Sequence, residues 1–142
     1  MKALNKINVC IDYIKRFFEE SKGEKAIIGI SGGKDSTVAA ALCVQALGKE
    51  NVFGVLMPNG LTSESTYTDL EDGKEVCNFL GIKYHIFDIH DAYHSLLFRI
   101  ENLLYCQNKI ENANASNQTK INLAPRIRMS VLYAIAQSMN GR

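Results

Sequence analysis

The sequence predicts an α/β fold, a doubly wound parallel sheet with helices on both faces. Three short apolar stretches read as strands, helical patterns lie between them, and a glycine-rich bend follows the first stretch. Because strands and helices alternate at this spacing, the strands are expected to run parallel with right-handed crossovers.

The first half of the chain contains a helix, a strand and a second helix. Apolar residues at intervals of three and four predict the first helix: Leu4, Ile7, Ile11, Ile14 and Phe18. It ends at residues 21–23. The first strand covers residues 26–30, and the second helix covers residues 35–47 and closes at Gly48.

Two further strands enclose a third helix. The second strand is predicted at residues 51–58 and the third at residues 83–89, with a helix at residues 66–81 between them. Beyond the third strand, another helix is predicted from its apolar residues: Leu96, Ile100, Leu103 and Leu104.

The last part of the chain is predicted as a long loop and a final helix. Residues 106–122 are polar and almost free of aromatics, which is typical of a loop. The final helix is predicted to begin near Pro125, a residue suited to a first turn. No strand follows it, so we expect an open sheet edge beside the first strand and a fold incomplete at residue 142.

Composition limits the classes of function. The chain has 142 residues, 46% of them hydrophobic, which suffices for one domain or part of one. Its net charge is +1, so no strong field favours nucleic acid. No apolar run suggests a signal peptide or a membrane span. The four cysteines form no C-x-x-C pair, and we expect reduced, mostly buried thiols in a cytoplasmic protein.

The bend at residues 29–36, "GISGGKDS", has the features of an anion site. The backbone N–H groups that begin the following helix lack partners within it, and Gly32 and Gly33 allow a tight turn and close approach of a ligand. Asp35 would repel phosphate unless a divalent cation lay between them, which indicates a Mg²⁺-bound nucleotide. A simpler alternative is that Asp35 or Ser36 only caps the helix.

The bend resembles the S-G-G-x-D-S loop of the ATP pyrophosphatase superfamily, which cleaves ATP between its α and β phosphates. This resemblance implies the adenine nucleotide alpha hydrolase-like, Rossmann-like fold. It makes Asp35 the Mg²⁺ ligand and implies catalytic roles for Lys34, Asp35 and Ser36. The implied ATP contacts are Gly29, Ile30, Ser31, Gly32, Gly33, Lys34, Asp35 and Ser36. Lys34, at the variable loop position, could equally neutralise phosphate or point into solvent.

Two further stretches resemble the NAD⁺ synthetase family. "GVLMPNG" at residues 54–60 is similar to its second-strand end, which implies that main-chain groups near Met57 receive adenine. "PRIRMSVLYAIAQSMNGR" at residues 125–142 is similar to its A-R-x-R-M helix, although Pro125 replaces alanine. That helix implies Arg128, and less strongly Arg126, as contacts of deamido-NAD⁺.

The resemblance identifies residues 1–142 as the N-terminal part of an NAD⁺ synthetase domain. The implied reaction joins ammonia to deamido-NAD⁺ through an acyl-adenylate and releases AMP and pyrophosphate. Free ammonia is the expected nitrogen donor because the chain begins directly with the first helix, and the resemblance suggests a homodimer. Alternatives are a GMP synthetase-like or tRNA-modifying relative and a non-catalytic nucleotide-binding module. His90 and His94, four residues apart, are either metal ligands or surface histidines.

Overall fold

The structure is a computed structural model that describes residues 2–60, 63–108 and 114–142. In chain order the described elements are α1 (Lys2–Ser21), β1 (Ala26–Gly29), α2 (Lys34–Leu47), a 3₁₀ turn (Lys49–Asn51), β2 (Val52–Leu56), α3 (Glu64–Leu80), β3 (Lys83–Ile86), α4 (His90–Asn108) and α5 (Asn117–Ser138). Each predicted strand and helix is present, and the strands are shorter than predicted.

The three strands form one parallel sheet in the order β1, β2, β3. Ala26 pairs with Val52, and Phe53 pairs with Lys83, so each crossover returns the chain to a strand running in the same direction. In a parallel sheet the carboxyl ends of all strands lie at the same end of the sheet. The bend after β1 and the segment after β2 are therefore neighbours.

Helices cover both faces of the sheet. On one face, α1, α2 and α3 pack against the strands through a buried cluster: Phe18, Ala26, Ile30, Ala40, Val52, Leu56, Leu70, Cys77 and Ile82. On the other face, α5 and the start of α4 pack through a second cluster: Ile27, Val55, Met57, Ile89, Ala124 and Ala136. The predicted α/β architecture with helices on both faces is confirmed.

The predicted start of the last helix is wrong, and the loop predicted before it is wrong at both of its ends. Helix α5 begins at Asn117, where Ser116 caps it by accepting the Thr119 N–H at 3.1 Å, so Pro125 lies inside the helix. Helix α4 extends to Asn108. Within the predicted loop, residues 109–113 lie outside the described residues. Pro125 has no backbone N–H, so the helix lacks one hydrogen bond there. Apolar packing of α5 against the sheet stabilises the helix before and after the proline.

The predicted incompleteness of the sheet is confirmed, since three strands form it in the described residues, but the edge of β1 is paired at its start. Lys25 and Gly141 form a parallel bridge. The Arg142 N–H donates to the Lys25 carbonyl at 2.8 Å, and the Ile27 N–H donates to the Arg142 carbonyl at 2.9 Å. Residues 140–142 therefore occupy the β1 edge in the parallel direction, as a further strand of a doubly wound sheet would.

Burial of the cysteines differs from the expectation in part. Cys77 is buried and Cys43 is half-buried, whereas Cys10 and Cys106 are exposed. All four are free thiols. Within the described ranges, no helix combines the length and the apolar character that crossing a membrane requires.

Candidate functional site

The bend between β1 and α2 is organised by its two serines. Ser36 Oγ accepts the Ser31 N–H at 3.2 Å and lies 3.0 Å from Ser31 Oγ. It also donates to the Gly33 carbonyl at 3.0 Å, and the Gly33 N–H donates to Ser31 Oγ at 3.3 Å. These bonds close the loop upon itself and aim both hydroxyls at its interior.

The start of α2 leaves backbone donors for a ligand. Gly33 is the N-cap, has no side chain and makes no side-chain capping bond. The first three amides of the helix, at Lys34, Asp35 and Ser36, have no partner within the helix, and they carry the positive end of its dipole. The alternative that Asp35 or Ser36 caps the helix is wrong, because α2 begins before both residues.

Gly32 fits the bend for two separate reasons. Its φ is +76°, a conformation that L side chains rarely adopt. A Cβ atom there would also lie 2.7 Å from the Asp69 carbonyl and 2.9 Å from Asp72 Cβ, so α3 packs directly on this residue. At Gly33 the nearest atom to an added Cβ is Ser31 Oγ at 3.3 Å, and that residue faces open space on its other sides.

Lys34 and Asp35 are exposed at the mouth of the bend. The ion pairs among the described residues join Glu71 to Lys74 and Glu101 to Lys120, so neither charge of the bend is neutralised by the protein there. Asp35 therefore offers carboxylate oxygens beside two serine hydroxyls. Hard oxygen donors of this kind fit Mg²⁺.

A cavity of about 780 Å³ opens beside the bend. It lies among the carboxyl ends of β1 and β2, the first turns of α3 and the middle of α5. Five residues predicted as ligand contacts line it: Gly29, Ile30, Ser31, Met57 and Arg128. The remainder of the predicted bend, residues 32–36, lies outside this lining. The volume falls in the range of sites that hold a nucleotide-sized ligand.

Arg128 reaches across the cavity to β2. Its Nε–H donates to the Met57 carbonyl at 2.9 Å. The side chain is half-buried, and burial lowers the pKa of its guanidinium. Neither ion pair of the described residues includes Arg128. A partly desolvated cation that has no ion-pair partner among the described residues is suited to an anionic ligand.

Arg126 lies apart from this arrangement. It is exposed, lies outside the cavity lining, and donates to the Asn122 carbonyl of its own helix at 3.1 Å. This placement is the one expected for two residues that are two apart on a helix, since they face different sides.

The main chain at Met57 has fewer free hydrogen-bonding sites for a ligand than the sequence predicted. One lone pair of its carbonyl already accepts from Arg128, so a base bound here would have the second lone pair and the surrounding wall. Its side chain is buried in the second core cluster and lies 3.3 Å from where a Cβ on Gly29 would be, which keeps the β1 end close to the β2 end.

Sequence reasoning missed several polar residues of the cavity, of which Tyr133 lies on α5 and Arg142 follows it. The others are Thr66 and Asp69 on α3, and Asn59, two positions after Met57. Asn59 Oδ1 is buried and has no hydrogen-bond partner among the residues that the structure describes. The only sequence signal of these last three residues is position, just beyond the end of a parallel strand or in the helix that follows it.

The rings of the two histidines lie against each other at a tilt. The His90 and His94 ring centroids are 4.3 Å apart at an interplanar angle of 52°, and His90 Nδ1 is buried without a hydrogen-bond partner in the described part of the chain. Across the described part of the chain, His, Cys, Asp and Glu nowhere form a group of three able to hold a metal. The geometry gives the metal alternative no support.

Comparison with known proteins identifies the family. The chain matches the NAD synthase family over residues 6–141. It belongs to that family. The membership predicted from the bend and from residues 125–142 is confirmed.

Relatives within the NAD synthase family match throughout this chain. The NH(3)-dependent NAD(+) synthetase of Methanopyrus kandleri is 35% identical over 130 residues, which are 92% of this chain and 42% of the relative. That of Methanosarcina acetivorans is 36% identical over 139 residues, 98% of this chain and 49% of the relative. The chain thus spans about half the length of the curated relatives it matches.

A solved structure of the NAD synthase family shares the fold. The NH3-dependent NAD synthetase of Campylobacter jejuni, in complex with the nitrate ion, has a TM-score of 0.81 at 30% identity and covers 99% of this chain and 55% of that one.

Proposed function

We propose that the protein containing this chain makes NAD⁺ from deamido-NAD⁺, ATP and ammonia, and releases AMP and pyrophosphate. One observation carries the proposal: Ser31 of the serine-and-glycine bend and the half-buried Arg128 line the same cavity. A bend suited to phosphate beside a cation that has no ion-pair partner among the described residues suits a reaction between a nucleotide and a second anionic substrate.

The bend holds the part of ATP that leaves. Amide groups at the start of α2 and the hydroxyls of Ser31 and Ser36 contact the β and γ phosphates, and Gly32 and Gly33 let them approach the backbone. Charge grows on the pyrophosphate as its bond to the α phosphate breaks, so these fixed donors stabilise the transition state more than the ground state. Lys34, exposed beside them, adds a positive charge.

Asp35 holds the Mg²⁺ that accompanies the phosphates. Its exposed carboxylate, with no ion-pair partner among the described residues, and the neighbouring hydroxyls are the oxygen donors that this ion prefers. When bound, Mg²⁺ neutralises part of the charge on the departing pyrophosphate.

The cavity holds the base and the second substrate. The adenine lies along the wall formed at Met57, beyond the carboxyl end of β2. Arg128, fixed there by its bond to the Met57 carbonyl, turns its remaining N–H groups to an anionic group of deamido-NAD⁺. Arg126 is the weaker candidate contact for the same substrate, because it lies outside the cavity lining on another side of α5.

Two bond exchanges complete the reaction. The nicotinate carboxylate of deamido-NAD⁺ attacks the α phosphate, and pyrophosphate departs to leave an acyl-adenylate. Ammonia then attacks the acyl carbon, and the bond to AMP breaks to give the amide. The residues described hold the reactants for the first exchange, where correct placement supplies much of the rate.

Ammonia is proposed as the nitrogen donor. Curated relatives at 35% and 36% identity are NH(3)-dependent NAD(+) synthetases. The glutamine-dependent NAD+ synthetase of Acinetobacter baumannii, in complex with ADP, also shares the fold, with a TM-score of 0.79, 26% identity and cover of 93% of this chain and 23% of that one. Activity with ammonium at equal or greater rate than with glutamine supports ammonia.

We further propose a cytoplasmic homodimer that does not bind nucleic acid. Large apolar side chains stand exposed on α4, including Phe98 at 66% and Leu103 at 60%, and a second copy would cover such a face. Light scattering on the full-length protein should give the mass of two chains.

The deciding experiment offers the full-length protein ATP, ammonium and one acceptor at a time. Release of pyrophosphate and AMP is expected with deamido-NAD⁺, together with NAD⁺. Release with xanthosine monophosphate instead would indicate a GMP synthetase-like relative. Binding of ATP without release of either product would indicate a non-catalytic module.

A further inference from the structure

Asp88 connects two segments that lie far apart in the sequence. Its Oδ1 accepts the Gly60 backbone N–H at 3.0 Å and the His90 backbone N–H at 2.9 Å. His90 is the first residue of α4, whereas Gly60 ends the segment that follows β2. One carboxylate oxygen therefore holds both backbones.

The segment tied by Asp88 forms one wall of the cavity. Residues 57–59 all line it. At one end of this wall Arg128 donates to the Met57 carbonyl at 2.9 Å, and at the other end Asp88 takes the Gly60 N–H. The two anchors come from opposite sides of the wall and bracket its three lining residues.

Gly60 needs an external anchor because a glycine backbone can adopt many conformations. Its φ is +76°, and a Cβ there would lie 2.6 Å from His90 Nδ1, so glycine is the residue that fits. Glycine has the widest choice of backbone angles in the unanchored state. The Asp88 bond selects one of them, and the Ile89 N–H bond to the Pro58 carbonyl at 2.9 Å supports the same path.

A helix cap alone does not account for these contacts. Capping α4 requires only the bond from the His90 N–H, together with the favourable placement of a carboxylate at the helix start. The bond to Gly60 spans 28 residues and adds nothing to the cap. It joins the end of the wall to the start of α4.

We propose that Asp88 is a positioning residue that sets the cavity wall against which the base of ATP binds. This inference rests on the proposed function. Asp88 is exposed and outside the cavity lining, so it acts through residues 57–60 and not by contact with the ligand.

The test compares variants in the full-length protein. Asp88→Ala removes both bonds, and the KM for ATP is expected to rise about three- to tenfold while kcat changes less than about twofold. Asp88→Asn keeps an oxygen acceptor and should restore the wild-type KM to within about twofold. Asp91→Asn is the matched control: it removes a charge from the exposed first turn of α4 without touching the wall.

A second readout is independent of the reaction. The Gly60 amide should exchange with deuterated water faster in Asp88→Ala than in the wild type, and Asp88→Asn should reverse the change. If Asp88→Ala does not fold, Asp88→Ser serves in its place, since the hydroxyl can still cap α4 but is too short to hold both amides.

Each result decides between the two ideas. An unchanged KM in Asp88→Ala, an equal rise in Asp91→Asn, or unchanged Gly60 exchange would overturn the positioning role. If the wild-type protein neither binds ATP nor forms NAD⁺, the proposed function fails, and exchange at Gly60 still decides whether Asp88 anchors the wall.

Discussion

The Nε–H of Arg128 donates to the carbonyl of Met57 at 2.9 Å, across 71 residues of sequence. This bond joins the middle of α5 to the carboxyl end of β2, and so fixes a cation at the wall of the cavity. Burial lowers the pKa of the guanidinium, and neither ion pair of the described residues involves it. A bound anion would therefore offset the free-energy cost of removing this cation from water.

Replacing Arg128 should weaken substrate binding. Arg128→Ala removes both the bond to Met57 and the charge, and we expect the KM for deamido-NAD⁺ to rise about tenfold or more, as for loss of a charged hydrogen bond. Arg128→Lys keeps the charge but not the planar fork, so it should recover only part of the loss. Steady-state kinetics on the full-length protein measure both.

Arg99→Ala provides the matched control for that pair. Arg99 is also a helical arginine, exposed on α4 and outside the cavity lining. Its removal should leave the KM unchanged. An equal effect of Arg99→Ala and Arg128→Ala would mean that only the overall charge matters.

Gly32 and Gly33 should respond differently to alanine. Gly32→Ala places a methyl group at φ +76° and 2.7 Å from the Asp69 carbonyl, and we expect a loss of about 1–3 kcal/mol in the free energy of unfolding. Gly33→Ala meets only Ser31 Oγ at 3.3 Å, at an ordinary φ of −77°, and should cost much less. Urea unfolding of both variants measures the difference; equal losses would contradict the packing of α3 on the bend.

Asp35 should be needed for catalysis and not for folding. It is exposed, and the ion pairs of the described residues leave it unpaired, so Asp35→Ala should cost no more than about 1 kcal/mol in the free energy of unfolding, the contribution of an acidic residue in the first turn of a helix. We expect AMP formation to be abolished, because the proposed Mg²⁺ ligand is lost. Normal turnover by this variant, assayed with saturating Mg²⁺, would remove the proposed metal role. Asp12→Ala, on exposed α1 surface, is the control.

The thiols should label in an order set by burial. Cys10 and Cys106 are exposed, whereas burial raises the pKa of the Cys43 and Cys77 thiols. A raised pKa leaves less thiolate at a given pH, so alkylation of Cys43 should increase at higher pH than that of an exposed thiol, and Cys77 should react only after unfolding. Mass spectrometry of labelled peptides gives each rate. Fast labelling of Cys77 in the folded protein would contradict the packing around β2.

Local patterns predicted most of the fold. Apolar spacing located α1 and the three strands, and glycine marked the end of α3, where Gly81 adopts the left-handed conformation with φ 67°. The start of α5 was missed because its first turns are mostly polar. The buried residue in this part of the helix is Ala124, which is small and gives little periodic signal. Pro125 then suggested a helix start that the tertiary packing overrides.

The site was predicted in part for a related reason. The bend is continuous in sequence, so its motif revealed it. The contacts that complete the cavity, such as Asp88 with Gly60, join residues whose types are common and whose separation leaves no local pattern. Only the end of a parallel strand marks such positions in advance.

The hydrogen bond between Met57 and Arg128 joins residues that are 71 positions apart, and this separation affects when the cavity can form during synthesis. β1 and β2 can pair once residue 56 has left the ribosome, but the cavity gains its far wall only when α5 has been made and has docked. A nascent chain should therefore hold nucleotide poorly until α5 has been made, and the distant partners that must meet predict slower folding than in a helical bundle of equal size.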